Sequence, residues 1–223
     1  MEDTLAAHAP IANGLVELFR LRHDPARAES AELEASTLDR QLERSIDAVE
    51  SLDEDRILRS FLRVVRAVLR TNYFQADDAG EAKPYLSLKL DPELIPDLPE
   101  PRPLVEVWVY SPRVEAVHLR GGRVARGGIR WSDRREDFRT EVLGLMKAQT
   151  VKNAVIVPVG AKGGFVVKQP PASGGREALL AEVVECYRTF MRGLLDVTDT
   201  IAGGEVVPPQ DVVRHDADDP YLV

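Results

Sequence analysis

The sequence has a single cysteine, Cys186, among 223 residues. One thiol cannot form a disulfide within the chain, and a lack of disulfides is typical of a reducing compartment. The four histidines are scattered, and no Cys and His residues stand at the spacing of a metal site. We therefore interpret Cys186 as a small apolar residue on a helix and His118 as a packing residue in a strand. We expect a cytoplasmic protein without a metal ligand set.

Long apolar runs and an excess of positive charge are also missing. No segment approaches the roughly 18 consecutive apolar residues that a membrane helix needs, and residues 1–15 lack the basic start and apolar core of a signal peptide. The formal net charge is −8, whereas proteins that bind nucleic acid usually present a basic face. We therefore expect neither a membrane nor a nucleic acid as a partner. With 44% hydrophobic and 30% charged residues, the composition is that of an ordinary globular chain.

The apolar pattern predicts helices over the first 73 residues. Leu15, Leu18 and Phe19 share one face of a first helix, and the charged, alanine-rich residues 24–40 are helical in part. A clearer helix is predicted from Ser51 to Asn72. It opens with a capping-box spacing and continues with apolar residues at helical intervals, namely Ser51 and Glu54, then Ile57, Phe61, Val64, Val65, Val68 and Leu69.

Short strands and helices are predicted after Tyr73. Six prolines between residues 84 and 103 exclude a long helix there. Alternating or apolar runs predict strands at 85–90, 104–110, 114–119, 154–159 and 165–167, and apolar periodicity predicts helices over 137–151 and 176–195. The predicted fold class is therefore α/β, with a helical N-terminal segment over residues 1–73. An α/β domain with a mixed sheet of short strands follows over residues 74–223.

Three cationic residues occur where the backbone is tight. Arg126 precedes Gly127 and Gly128, Lys152 follows a predicted helix, and Lys162 lies between small residues in GAKGG. Glycine lets a ligand approach the backbone, and converging cations suit a small dicarboxylate because charge-assisted hydrogen bonds are strong. A sheltered lysine among other cations has a lowered pKa and can act as an acid or base near neutral pH. Spacing alone leaves open the alternative of solvated charges beside ordinary turns.

Four longer segments resemble the glutamate dehydrogenase family, and within it the large NAD-dependent bacterial type. They are SLDEDRILRSFLRVVRAVLRTNYFQ, RGGIRWSDR, RTEVLGLMKAQTVKNAVIVPVGAKGGF and VVPPQDVVRHDADDPYLV. The resemblance covers essentially the whole chain. It implies that the chain is an NAD-dependent enzyme that oxidatively deaminates L-glutamate to 2-oxoglutarate and ammonia, and that the full-length enzyme is a homo-oligomer.

The resemblance also assigns roles to particular residues. The family's catalytic lysine falls on Lys162, and its catalytic aspartate, after a VPAxD-like phrase, falls on Asp211. The position before the glycine pair Gly127–Gly128 is a lysine in smaller members, associated with the substrate's side-chain carboxylate, and here it is Arg126. The lysine associated with the α-carboxylate falls on Lys152.

The chain departs from the family pattern in two ways. The interval from the glycine pair to Lys152 is slightly longer than in the small enzymes, and the interval from Lys152 to Lys162 is slightly shorter. No GxGxxG follows a strand, so the dinucleotide-binding fingerprint is missing. We therefore expect residues 74–223 to be a substrate-binding domain, with NAD bound mainly by a domain beyond Val223.

Two other functions remain open at this point. One is a dehydrogenase of the same superfamily for leucine, valine or phenylalanine, which Arg126 disfavours because an unpaired guanidinium is costly beside an apolar side chain. The other is a non-catalytic interaction or regulatory module that retains the fold.

Overall fold

The computed structural model describes residues 1–28, 30–96, 98–152 and 159–221, and for residues 150–152 the backbone alone. Four helices come first, and a short 3-10 turn at Pro92–Leu94 is the next helical element. The four are α1 (Glu2–Ala7), α2 (Ala9–His23), α3 (Glu32–Asp47) and α4 (Leu52–Ala67). The Ser51 hydroxyl accepts a hydrogen bond from the Glu54 N–H at 3.4 Å, which confirms the predicted cap. The helices pack around an apolar core made of Ile11, Leu15, Leu18, Leu42, Ile46, Leu58 and Leu62.

The predicted helix over residues 51–72 is too long. Helix α4 ends at Ala67, and strand β1 (Val68–Thr71) follows directly. β1 pairs with the next strand of the sheet, and the fully buried Arg70 bonds to Asp199 at 2.7 Å and to Asp216 at 2.6 Å. These long-range contacts override the helical periodicity, because the β-branched Val68 and Thr71 are also well suited to a strand.

Six strands form one mixed sheet. After β1 come β2 (Leu86–Leu90), β3 (Val105–Tyr110), β4 (Val114–Arg120), β5 (Arg126–Trp131) and β6 (Gly160–Val167). The order across the sheet is β1-β2-β3-β4-β6-β5. All neighbours are antiparallel except β5 and β6, which are parallel and are joined through helix α5 (Phe138–Lys152). The α/β class and the mixed sheet are thus confirmed.

Several strands differ from the sequence prediction. Strand β5 was not predicted, and β6 begins at Gly160, so that the GAKGG segment is a strand. The hairpin of β7 (Thr200–Ala202) and β8 (Glu205–Val207) was not predicted either. Most of the strand predicted at 154–159 lies outside the described residues.

A helix covers each face of the sheet. The side that contacts α5, here called the α5 face, has an apolar core of Val117, Leu119, Phe138, Val142, Leu143, Met146 and Val166. The other side, the α6 face, contacts helix α6 (Gly175–Asp196) through a core that includes Val109, Ala116, Phe165, Cys186, Phe190 and Leu194. Cys186 is a buried helical residue and His118 a buried strand residue, as predicted.

The buried side of α6 is offset from the predicted one. The apolar residues predict one buried face made of Leu180, Val184, Tyr187, Met191, Leu194 and Leu195. Leu194 is buried and Met191 packs against the core, whereas Leu180, Val184, Tyr187 and Leu195 are exposed. Cys186 and Phe190 are buried beside Leu194 although they lie outside the predicted face, since Phe165 and the Val109 side of the sheet pack against them.

The segment after β8 crosses the α6 face and is held by ion pairs. Three buried cations come from three strands of the sheet, Arg70 from β1, Lys89 from β2 and Arg120 from β4. Arg70 and Lys89 bond to Asp216 at 2.6 and 2.7 Å. Lys89 and Arg120 bond to Asp219. The segment is therefore fixed on the face of the sheet that α5 does not cover.

Candidate functional site

Lys162 lies in strand β6, whereas the sequence predicts no strand between residues 159 and 165. In the parallel register of β5 and β6, Lys162 pairs with Gly128. Side chains alternate along a strand, so Arg126, Gly128 and Arg130 share the face on which Lys162 lies. This is the α5 face, because a Cβ at Gly164, two residues after Lys162, would lie 2.3 Å from Val142 Cγ2 of α5.

The glycine pair has two different functions in this geometry. A Cβ at Gly127 would lie 1.6 Å from the Ala161 carbonyl oxygen, so the close approach of β5 and β6 requires glycine there. At Gly128 no described atom lies within 4 Å of the Cβ position. Among the described atoms, Gly128 therefore leaves open space on the α5 face, level with Lys162.

Two arginines stand on either side of this open space. Arg126 and Arg130 are each two residues from Gly128, so their Cα atoms are separated by about 13 Å at the usual rise of about 3.3 Å per strand residue. Arg126 is exposed, and the side chain of Arg130 is 52% exposed. The surface between them thus offers cationic donors at both ends and the Lys162 ammonium beside its centre.

The environment of Lys162 lowers the pKa of its ammonium group. Partial burial is the largest cause, the positive charge of Arg130 is the second, and the carboxylate of Glu141 acts in the opposite direction. Glu141 is on α5 and bonds to Arg130 Nε at 3.0 Å, while Ser132 Oγ donates to its other oxygen at 2.5 Å. The predicted direction of the Lys162 pKa is therefore confirmed, with Arg130 as the neighbouring cation.

Arg130, Ser132 and Glu141 were not predicted as site residues. A strand reading of RGGIRWS would have revealed Arg130, because alternation places it on the side of Arg126 and Gly128. Glu141 carries no such signal, since its place depends on how α5 packs on the sheet.

Lys152 is the last residue of α5, and its side chain lies outside the described residues. The helix to which it belongs packs on the α5 face, so the backbone at Lys152 is on the same side of the sheet as Lys162. Its contact with a substrate carboxylate stays a prediction.

Asp211 is not beside Lys162 in this structure. It is exposed and has a left-handed φ of 54°, and the preceding carbonyl of Gln210 accepts a hydrogen bond from Gln75 Nε2 at 2.8 Å. Gln75 follows β1, and three strands separate β1 from β6. At about 4.8 Å per strand spacing this amounts to about 19 Å between β1 and β6. A catalytic function of Asp211 stays a prediction.

No helix within the described residues is long and apolar enough to cross a membrane.

The family model and the related proteins that match this chain point to the same family. Residues 41–223 match the family model for the bacterial NAD-glutamate dehydrogenase catalytic domain. Proteins named NAD-specific glutamate dehydrogenase are 59% identical in Pseudomonas aeruginosa, 56% identical in Halomonas elongata and 54% identical in Mycobacterium tuberculosis. These similarities cover 99 to 100% of this chain. The chain spans 14% of the length of each of these relatives.

Proposed function

Because this chain belongs to the bacterial NAD-glutamate dehydrogenase catalytic-domain family, we propose that it carries the substrate-binding part of a site for NAD-dependent oxidative deamination of L-glutamate to 2-oxoglutarate and ammonia. The observation that carries the proposal is the open space at Gly128, with Lys162 beside it and Arg126 and Arg130 at its two ends. A dicarboxylate substrate needs a cationic group for each of its carboxylates.

The proposal gives distinct tasks to Arg126, Lys152 and Lys162. Arg126 binds the side-chain carboxylate of glutamate, and Lys152 binds the α-carboxylate. Lys162, whose pKa is lowered chiefly by burial and then by Arg130, orients water at the α-carbon and stabilises the oxygen on which negative charge develops.

Asp211 is proposed as the residue that transfers protons. To reach Lys162, the residues around Asp211 would first have to leave their contact with Gln75. A requirement for this movement distinguishes Asp211 from the other site residues, all of which lie on the α5 face or on α5.

The parallel unit of the sheet lacks the features of a dinucleotide site. The parallel unit β5–α5–β6 connects its first strand to its helix through residues 132–137, SDRRED. This connection has three acidic residues and no glycine, whereas a dinucleotide pyrophosphate is bound by a glycine-rich turn at a helix N-terminus. We therefore propose that NAD is bound by another part of the protein, and we assign no NAD contact to this chain.

The buried single thiol of Cys186 supports a cytoplasmic location for the protein, and the family membership supports a homo-oligomer. Fractionation of cells and sedimentation of the purified protein test these two proposals.

The central test of the proposed function is the substitution Lys162→Met in the full-length enzyme, which includes the part that binds NAD. Turnover of glutamate should fall by roughly 10²-fold or more, since proton transfer and electrostatic stabilisation each contribute on that order. Lys147→Met is the matched control, because Lys147 is an exposed lysine on α5. A Lys162→Met protein with a near-normal kcat would contradict the function assigned to Lys162. Calorimetric titration with glutamate, compared with the turnover assay, distinguishes a binding module from an enzyme, since a module would bind glutamate without turnover.

A further inference from the structure

Glu141 ties the start of α5 to the end of β5. Its side chain is only 13% exposed, and both carboxylate oxygens are used. One bonds to Arg130 Nε at 3.0 Å, and the other accepts from Ser132 Oγ at 2.5 Å. Ser132 Oγ in turn accepts from the Arg134 N–H at 3.1 Å. Glu141 is therefore held in one orientation from two sides.

Arg130 depends on this contact for its position. Its side chain is 52% exposed, and a long side chain with that exposure would otherwise sample many rotamers in water. The contact with Glu141 keeps the guanidinium on the α5 face, two residues along β5 from Gly128, which is level with Lys162.

The charged groups that face Lys162 within the described part of the chain come from two elements. β5 contributes Arg126 and Arg130, and α5 contributes Glu141. On the other side, β4 presents the buried, apolar Leu119 at the register position of Lys162. Arg139 of α5 bonds to Glu106 on β3 instead.

We propose, on the basis of the function proposed above, that Glu141 is a positioning residue of the Lys162 site. It holds the Arg130 guanidinium beside the open space at Gly128, and its own negative charge limits the repulsion between Arg130 and the Lys162 ammonium. The Arg130–Glu141 pair thereby sets the charge at Lys162 without contacting the substrate's reacting atoms.

The proposal predicts that substitutions at Arg130 and at Glu141 shift the pKa of Lys162 in opposite directions. Burial is the largest cause of the lowered pKa of Lys162; Arg130 lowers this pKa further, and Glu141 raises it. Glu141→Gln retains an oxygen acceptor for Arg130 but removes the negative charge, so the pKa of Lys162 falls further. Arg130→Met removes the positive charge, so the pKa of Lys162 rises. The double variant removes both charges, so its Lys162 pKa lies between those of the two single variants.

The pKa of Lys162 can be measured without turnover. Competitive acetylation of the purified protein over a pH series, read by mass spectrometry at the Lys162 peptide, gives the pH at which the amine becomes reactive. Opposite shifts of the Lys162 pKa in the two single variants support the proposal. A Lys162 pKa in Arg130→Lys close to that of the unsubstituted protein also supports it. Shifts of the Lys162 pKa in the same direction, or no shift in either variant, would overturn the proposal. Both variants lose the ion pair, so a merely structural effect of that loss would be the same in both.

The same variants distinguish this inference from the proposed function. If Lys162 is the catalytic lysine, the pH profile of kcat/KM follows the acetylation result in each variant. If acetylation shows opposite shifts while the pH profile does not move, the inference stands and the catalytic assignment of Lys162 fails. If Lys162→Met abolishes turnover while acetylation shows no shift, the proposed function stands and the inference about Glu141 fails.

Discussion

The adjacent glycines Gly127 and Gly128 should respond in opposite ways to the same substitution. In Gly127→Ala the new Cβ would lie 1.6 Å from the Ala161 carbonyl oxygen, against the 3.0 Å below which real Cβ atoms essentially never approach another heavy atom. The contacting atom belongs to the backbone, so no side chain can rotate out of the way. Strands β5 and β6 must separate by more than an ångström, and their hydrogen bonds stretch or break.

The expected loss for Gly127→Ala is at the upper end of overpacking, about 3 kcal/mol or more in the free energy of unfolding. With m values of about 1–3 kcal/mol per molar urea, this lowers the urea midpoint by about 1–3 M. Gly128→Ala is the matched control. Its Cβ meets no described atom within 4 Å, and alanine in place of glycine inside a strand changes stability by no more than about 1 kcal/mol, in the stabilising direction.

Urea denaturation followed by circular dichroism compares the two variants, and titration with glutamate adds a second comparison. Gly128→Ala should fold normally yet bind glutamate more weakly, because its methyl group occupies the open space beside Lys162. Equal stability of the two variants would refute the close packing of β5 on β6. Unchanged glutamate binding by Gly128→Ala would refute the placement of the substrate at Gly128.

Three further predictions concern glutamate binding by Arg126, the pH dependence of stability, and the function of Asp211. Arg126→Leu should raise KM for glutamate by roughly 10- to 150-fold, as expected for loss of a charge-assisted pair of about 1.5–3 kcal/mol, while activity on norvaline suffers less; equal losses on both substrates would contradict the assignment. Burial lowers the pKa of His23 to about 3, with further contributions from His215 and Arg22. Since the unfolded chain takes up this proton near pH 6.5 and the folded chain does not, the free energy of unfolding should fall as the pH drops from about 6.5 towards 3. His23→Phe should flatten that slope in urea titrations at several pH values, and an unchanged slope would show that other groups determine it. Asp211→Asn should reduce kcat with little change in KM, whereas Asp218→Asn, a substitution at a nearby exposed aspartate, should not; an unchanged kcat in Asp211→Asn would remove Asp211 from the site.

Local patterns predict those elements whose structure depends on local contacts. The alternation at residues 104–110 corresponds to β3, because one side of that strand is buried more fully than the other. The strand predicted at 114–119 corresponds to β4, which is buried on both sides. The periodicity of Phe138, Val142 and Met146 corresponds to α5, since these residues form its contact with the sheet.

The candidate site was predicted in part, for a physical reason. GAKGG has little strand propensity, and it becomes a strand because β4 and β5 pair with it on both sides and Val142 fills the space left by Gly164. The position of Asp211 follows from contacts between residues distant in sequence, such as Gln75 with Gln210. A motif match identifies a residue type at a position but carries no information on such contacts.

The ion pairs across the α6 face have a consequence for when the chain can complete its folding during synthesis. Arg70, Lys89 and Arg120 are synthesised early, and the carboxylates of Asp216 and Asp219 that bond to them come about a hundred residues or more later. Until then, closing the core would bury cations without all of their counter-charges, which is strongly unfavourable. We therefore expect a nascent chain that ends before Asp216 to keep this part of its sheet hydrated, and the final packing to follow synthesis of the segment after β8.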